Sequence, residues 1–223
     1  MQQEPFAGDK KVGASWLHGP EQRIIRFAMR YVPAWIKSYH LTLATIPISL
    51  AIVGCSFLAK GDIGWLWAIS ALIVLQWITD SLDGAVGRAH GEGLIRWGYY
   101  MDHFLDYIFL CSVLIGYSIL LPDHFKYLQF FVLALFGAFM VNAYLAFAAS
   151  NKFRISYLGI GPTEIRILFV LINTLLIFFG KTYLAQTLPY VLPLTVVGLI
   201  IVTYRTQREL WKMDQEAKKQ QAQ

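Results

Sequence analysis

Apolar runs of roughly 17–25 residues recur along the chain, each long enough to cross a bilayer as a helix. Six spans are predicted, at about 41–59, 64–86, 96–121, 126–149, 165–180 and 183–204. The breaks between them carry turn chemistry or charge: Lys60-Gly61-Asp62, Gly91-Glu92-Gly93, Pro122-Asp123, Gly159 to Pro162, and Gly180-Lys181. Short connections and no internal repeat argue for one bundle. The predicted fold is all-α, a six-transmembrane-helix bundle over 38–206.

An amphipathic segment precedes the first span, over about 20–37. Arg23, Arg26, Arg30 and Lys37 fall on one helical face, and Ile24, Phe27, Tyr31 and Trp35 on the other. Pro33 should end or kink this helix near residue 32. A basic face with aromatic anchors suits an interfacial helix on an anionic membrane surface. Residues 1–19 read as a polar tail with no apolar core and no small-residue cleavage site, which argues against a cleavable signal peptide. Residues 207–223 read as a polar C-terminal tail that frays.

Composition agrees with a membrane protein: 57% of residues are hydrophobic and 15% charged, against about 25% charged in soluble domains. Cys55 and Cys111 lie in apolar runs and read as small buried thiols, without zinc spacing. The net charge of +5 comes from basic residues that flank spans and are not interleaved with aromatics. Nucleic-acid binding is therefore excluded. Most of the 19 Lys and Arg residues fall on one side; the exceptions are Lys60, Lys126 and Lys181. The positive-inside rule then places both termini and the 88–96 connection in the cytoplasm, which requires an even number of spans.

Four aspartates break the apolar pattern: Asp80, Asp83, Asp102 and Asp106. A carboxylate at membrane depth costs at least about 2.5 kcal/mol. Asp80 and Asp83 are three apart, Asp102 and Asp106 four apart, so each pair shares a helical face. A short connection makes the two helices antiparallel neighbours, and all four acids are expected to point at one spot. Arg88 is the nearby arginine, and the remaining negative charge calls for protons or cations. Clustered oxygen ligands suit Mg²⁺ or Mn²⁺, one or two ions. Gly84, Gly87 and Gly98 each remove a side chain beside a carboxylate, making room for a ligand or for close helix packing.

The stretch D80-S-L-D83-G84-A-V-G87-R88, followed after nine residues by G98-Y-Y-M-D102-H-F-L-D106, resembles the signature of the CDP-alcohol phosphotransferases (CDP-alcohol phosphatidyltransferases). That signature is Asp-x-x-Asp-Gly-x-x-Ala-Arg, eight or nine residues, then Gly-x-x-x-Asp-x-x-x-Asp. The chain departs at Gly87, where the family has alanine. The six spans, the amphipathic N-terminal helix and, more weakly, Lys37 to Thr42 are also similar to the family. The resemblance implies a membrane enzyme of phospholipid synthesis: a CDP-linked donor loses CMP and its phosphoryl-alcohol group passes to an acceptor hydroxyl. It implies that Asp80, Asp83 and Asp102 hold two ions, Mg²⁺ or Mn²⁺, with Asp106 at their edge and also the general base. Gly84, Gly87 and Arg88 would line the cytidine diphosphate site. It also implies a microbial inner or plasma membrane, membrane lipids as surroundings, and a homodimer.

Within the family, the short chain and six spans look more like the microbial type that uses CDP-diacylglycerol as donor and a small polar alcohol as acceptor. A CDP-linked head group passing to diacylglycerol is the alternative within the class. A membrane metal-binding or transport protein is the alternative outside it, since intramembrane carboxylates also mark ion pathways. Lys152, Arg154 and Arg166 flank the fourth connection and are candidates for an acceptor phosphate, or for ordinary flanking charge. Glu164 reads as a helix-start residue, and Asn142 and Asn173 as interhelical hydrogen-bonders.

Overall fold

The computed structural model describes residues 11–12, 17–150, 153–154, 161–180 and 182–221. Its elements are α1 (His18–Ala28), α2 (Ser38–Leu43), α3 (Thr45–Leu58), α4 (Trp65–Ala89), α5 (Ile95–Leu120), α6 (Lys126–Ser150), α7 (Pro162–Phe179) and α8 (Thr182–Gln221). A two-residue parallel pairing joins Lys11–Val12 to Phe153–Arg154. Six helical segments are long and apolar enough to cross a membrane, with α2 and α3 together forming the first. The chain is thus a multi-pass integral membrane protein.

The spans agree with the sequence pattern, but two helix ends do not. α4 runs to Ala89 and α7 starts at Pro162, so charged residues expected at the flanks lie within helices. The C-terminal polar stretch is not a frayed tail: α8 continues unbroken to Gln221 through Pro189 and Pro193. At 1.5 Å per residue it is about 60 Å long, roughly twice the hydrocarbon thickness.

Inside a bilayer, helices associate by packing and by polar contacts rather than by exclusion of water. α3 packs on both α4 and α5, α7 on α4, and α6 on α5 and α8. The core between them is built from Ile48, Ile52, Leu66, Ile69, Ile73, Phe109, Val113, Phe169 and Leu176. A buried polar clamp ties three helices together: Asn173 Nδ2 donates to Ser70 Oγ (3.0 Å), and Tyr117 O–H donates to Asn173 Oδ1 (2.9 Å). Asn142 bridges to Thr206 at 3.4 Å. Both asparagines therefore do join helices. Cys55 and Cys111 are free thiols, half-buried rather than fully buried.

α1 is followed by a 3₁₀ turn over Met29–Tyr31, and Val32, ahead of Pro33, adopts an extended conformation. Phe27, Tyr31 and Trp35 are exposed, Trp35 by 73%. The opposite side of α1 is latched to the bundle. Glu21 Oε1 accepts from Thr163 Oγ1 (3.2 Å) and Ser81 Oγ (3.4 Å), and Leu17 N–H donates to Glu164 Oε1 (3.2 Å). Glu164 also caps its own helix, accepting from Gly161 N–H at 2.9 Å.

The α4–α5 connection is tied down as well. Left-handed Gly91 (φ 62°) ends α4, with Gly91 N–H donating to Arg88 O and Glu92 N–H to Gly87 O. Gly93 is also left-handed (φ 69°). Between them, the Glu92 carboxylate accepts from Ser38 N–H (3.1 Å) and Ser38 Oγ (2.7 Å), capping α2 from outside. These bonds to Ser38 hold the Glu92 carboxyl below the usual carboxylate range.

Two consequences are testable. A methyl on Gly116 of α5 would collide with Ser56 Oγ of α3. Gly116→Ala should therefore lose about 1–3 kcal/mol by overpacking, and Ser56→Ala should recover most of it, read as thermal unfolding in detergent. Additive losses would contradict the contact. The lowered Glu92 pKa means that the clasp's contribution is fully present above the ordinary carboxylate range and is lost as pH falls through that range toward the lower native value. Hydrogen exchange at Ser38, corrected for intrinsic rate, should lose protection on acidification in the native protein and be unprotected at all pH values in Glu92→Ala, which has no side-chain acceptor.

Candidate active site

The last ten residues of α4 and the first half of α5 carry the acids. Helical spacing fixes which of them meet. Asp80 on α4 and Asp102 and Asp106 on α5 each offer a carboxylate oxygen, and the three oxygens lie within 4.8 Å of one another. Asp83, one turn on, is held apart: its Oδ2 accepts from Thr42 Oγ1 of α2 at 2.6 Å. The four acids therefore divide into a triad and a tethered neighbour, where the spacing suggested a single convergence point.

α4 and α5 are not close-packed neighbours, contrary to the expectation from their short connection. α2 and α3 lie beside both, and α4 and α5 have little backbone contact of their own. Carboxylates cannot close a helix seam, and the two left-handed glycines let the connection open. The acids thus reach across a gap rather than across a packed interface.

The cation in that gap is Arg166, not Arg88. Arg166 enters from α7, which packs on α4, and is only 6% exposed. Its Nη2 donates to both Asp80 Oδ2 (3.0 Å) and Asp106 Oδ1 (2.9 Å). Its Nε donates to Gln76 Oε1 at 2.7 Å, and its guanidinium lies over the Phe109 ring, 5.5 Å from the centroid. Arg88 is exposed and runs alongside Gly84, where a Cβ would sit 3.2 Å from its Nη1. The charge argument survives with a different arginine: one guanidinium against four carboxylates leaves negative charge to be met.

Arg166 was expected as a flanking or phosphate-facing residue, together with Lys152 and Arg154. The structure turns it into the acidic cluster instead. Lys152 lies outside the described residues, as does the side chain of Arg154. A readable signal for Arg166 existed: it shares the 166, 169, 173, 176 face of α7 with Phe169, Asn173 and Leu176, all buried. Gln76, one turn before Asp80 on the same face of α4, was also missed; it is fully buried.

The departure at Gly87 has a local cause. A Cβ there would lie 3.3 Å from Ser38 Cβ and 3.4 Å from its Oγ, and Ser38 is fixed by Glu92. Gly84, Gly87 and Arg88 line the α4 side of this end of the bundle, next to Ser38 and Thr42 of α2. On the α5 side, His103 Nδ1 is 3.6 Å from Asp102 Oδ2, and Tyr144 O–H donates to the His103 carbonyl (3.0 Å).

Three carboxylates from two helices, open to a fourth, form a set of hard oxygen donors of the kind that Mg²⁺ or Mn²⁺ takes. The donor chemistry and the spacing of the triad fit such an ion. No curated protein matches the chain. The model of the CDP-alcohol phosphatidyltransferase family matches residues 35–203. That range holds the whole first span, all four aspartates, Arg166 and most of α8. Family members are transferases of phosphorus-containing groups that use divalent metal, and Asp80, Asp102 and Asp106 could hold such an ion. With the signature residues at this end of the bundle and the match running through most of its length, the chain belongs to the CDP-alcohol phosphatidyltransferase family.

Proposed function

We propose that the protein transfers a phosphatidyl group from CDP-diacylglycerol to the hydroxyl of a small polar alcohol, releasing CMP. The observation that carries this reading is the convergence of Asp80, Asp102 and Asp106 across a gap between two helices that are otherwise kept apart. Phosphoryl transfer demands positioning and charge neutralisation more than covalent help, and an acid-lined gap at a membrane helix end supplies both.

Asp80, Asp83 and Asp102 would hold divalent ions, with Asp106 at their edge. Bound there, Mg²⁺ or Mn²⁺ would neutralise the diphosphate and the leaving CMP. Asp106 would take the proton of the acceptor hydroxyl, a role that needs a carboxylate within hydrogen-bond reach of the acceptor. Thr42 fixes the Asp83 carboxylate. Gly84, Gly87 and Arg88 would border the cytidine diphosphate, with Glu92 and Ser38 closing the rim behind them. An acceptor phosphate would meet Lys152 and Arg154 on the connection after α6. Charge asymmetry would put this end and both termini in the cytoplasm, where polar alcohols are dissolved and the CDP head group of a bilayer-held donor projects. The homodimer that the family resemblance implies belongs to the same reading.

An ion carrier is the competing class. Transporter sites favour the midplane, on broken helices. Here α4 and α5 are continuous through their acids, and the acids lie in the halves of those helices nearest the shared connection. A transferase of CDP-linked head groups to diacylglycerol shares the same geometry and separates by substrate alone.

Purified protein given CDP-diacylglycerol, Mn²⁺ or Mg²⁺ and a panel of small alcohols should release CMP with one of them. Excess chelator should stop it and added metal restore it. Activity that persists in chelator, or CMP release only from CDP-linked head groups with diacylglycerol, would overturn the proposal. Asp106→Asn should lower turnover by about 10²–10⁴-fold, the usual scale of general-base loss, while CDP-donor binding stays nearly intact. A fully active variant would remove Asp106 from that role.

A further inference from the structure

One nitrogen of Arg166 bridges two carboxylates that come from different helices. Nη2 lies 3.0 Å from Asp80 Oδ2 and 2.9 Å from Asp106 Oδ1. Bridging two carboxylates of one cluster is what a bound cation does. Metal–oxygen bonds to Mg²⁺ are about 2.0–2.1 Å, so two oxygens on one ion lie within roughly 4 Å of each other. Arg166 therefore draws together the oxygens that an ion in the triad would need. A guanidinium and a doubly charged ion held by the same carboxylates repel each other strongly at such short range.

We propose that Arg166 is a resident counter-cation that competes with the divalent ion for Asp80 and Asp106. The inference rests on reading the acidic triad as the divalent-cation site.

The surroundings of Arg166 are built for such an exchange. Its Nε is held by Gln76 Oε1 (2.7 Å) and its face by the Phe109 ring, so the head group keeps two anchors when the carboxylates are taken from it. Gln76 spends its acceptor on Arg166, while its buried Nε2 finds no hydrogen-bond partner among the described residues. Beside that unpaired donor, a displaced guanidinium presents further donors. Together they suit an oxyanion, and a phosphate-bearing substrate is the oxyanion this reaction brings. Filling the site with metal would then turn Arg166 from a partner of the protein's own acids into a partner of substrate. Such an exchange avoids leaving four carboxylates unneutralised when no ion is present, the situation that makes a buried charge most costly.

The test reads metal binding itself, without turnover. Mn²⁺ is titrated into purified protein and free Mn²⁺ is followed by electron paramagnetic resonance, for the native protein, Arg166→Gln and Arg166→Lys. Arg166→Gln keeps a polar group near Gln76 but removes the competing charge. It should bind Mn²⁺ tighter by roughly tenfold or more, the scale of one charge-assisted hydrogen bond given up. Arg166→Lys keeps the charge but cannot hold Gln76 and both carboxylates at once. It should show a smaller gain, and it decides the question alone if the glutamine variant does not fold. Unchanged or weaker Mn²⁺ binding in the folded variants would overturn the inference and leave Arg166 as a fixed scaffold. Mn²⁺ binding by none of the three proteins would overturn the metal reading and this inference with it.

Discussion

Uncompensated carboxylate charge in an apolar bundle is the constraint around which this structure is arranged. Four acids sit on two helices that elsewhere present aliphatic and aromatic surface to their neighbours and to lipid. Direct α4–α5 packing would bury that charge without partners, so the helices stand apart at this end and α2–α3 fills the space alongside. Arg166 then crosses from a third helix to hold Asp80 and Asp106 together. Breaking a buried ion pair on one side costs about 3–5 kcal/mol, so the position of α7 and the shape of the acidic gap are set jointly.

The short helix α2 does for Asp83 what α7 does for the triad. Thr42 donates to Asp83, Ser38 packs against Gly87, and Glu92 caps Ser38 from the connection. Each contact is small, but they form one line from the first span, through the signature helix, to the turn between two left-handed glycines. The small residue at 87 and the serine at 38 are a matched pair in that line. A larger side chain at either position would press on the other.

Element existence was legible because bilayer thickness imposes a length that apolar runs must meet. The six spans, the exposed aromatics Phe27, Tyr31 and Trp35 of the N-terminal segment and the interhelical roles of Asn142 and Asn173 followed from that and from local polarity. Helical spacing led to all four aspartates meeting at one spot, whereas Asp80, Asp102 and Asp106 come together and Asp83 is bonded to Thr42. What did not follow was the partner of the acids. Arg88 is nearest in sequence, yet it lies one helical turn beyond Asp83 on the exposed side, whereas Arg166 lies 60 residues beyond Asp106 on the buried face of another helix. Counting Arg166 among flanking charges concealed it, because the flank ends where the helix begins, and Glu164 starts that helix earlier than its apolar run does. The polar end of α8 misled for the converse reason: Glu, Gln, Lys and Arg are good helix formers, so polarity there marks the end of the membrane and not the end of the helix.

Two latches tie the N-terminal segment to the helices that form the acidic gap. Glu21 of α1 holds Thr163 and Ser81, next in sequence to Asp80. Glu164, beside Thr163, holds Leu17 while starting the helix that delivers Arg166. The segment that presents Phe27, Tyr31 and Trp35 outward is therefore bonded to both helices whose side chains meet at Asp80 and Arg166. The same carboxylates that fix α1 thereby tie its placement to the two helices that meet at the acidic gap.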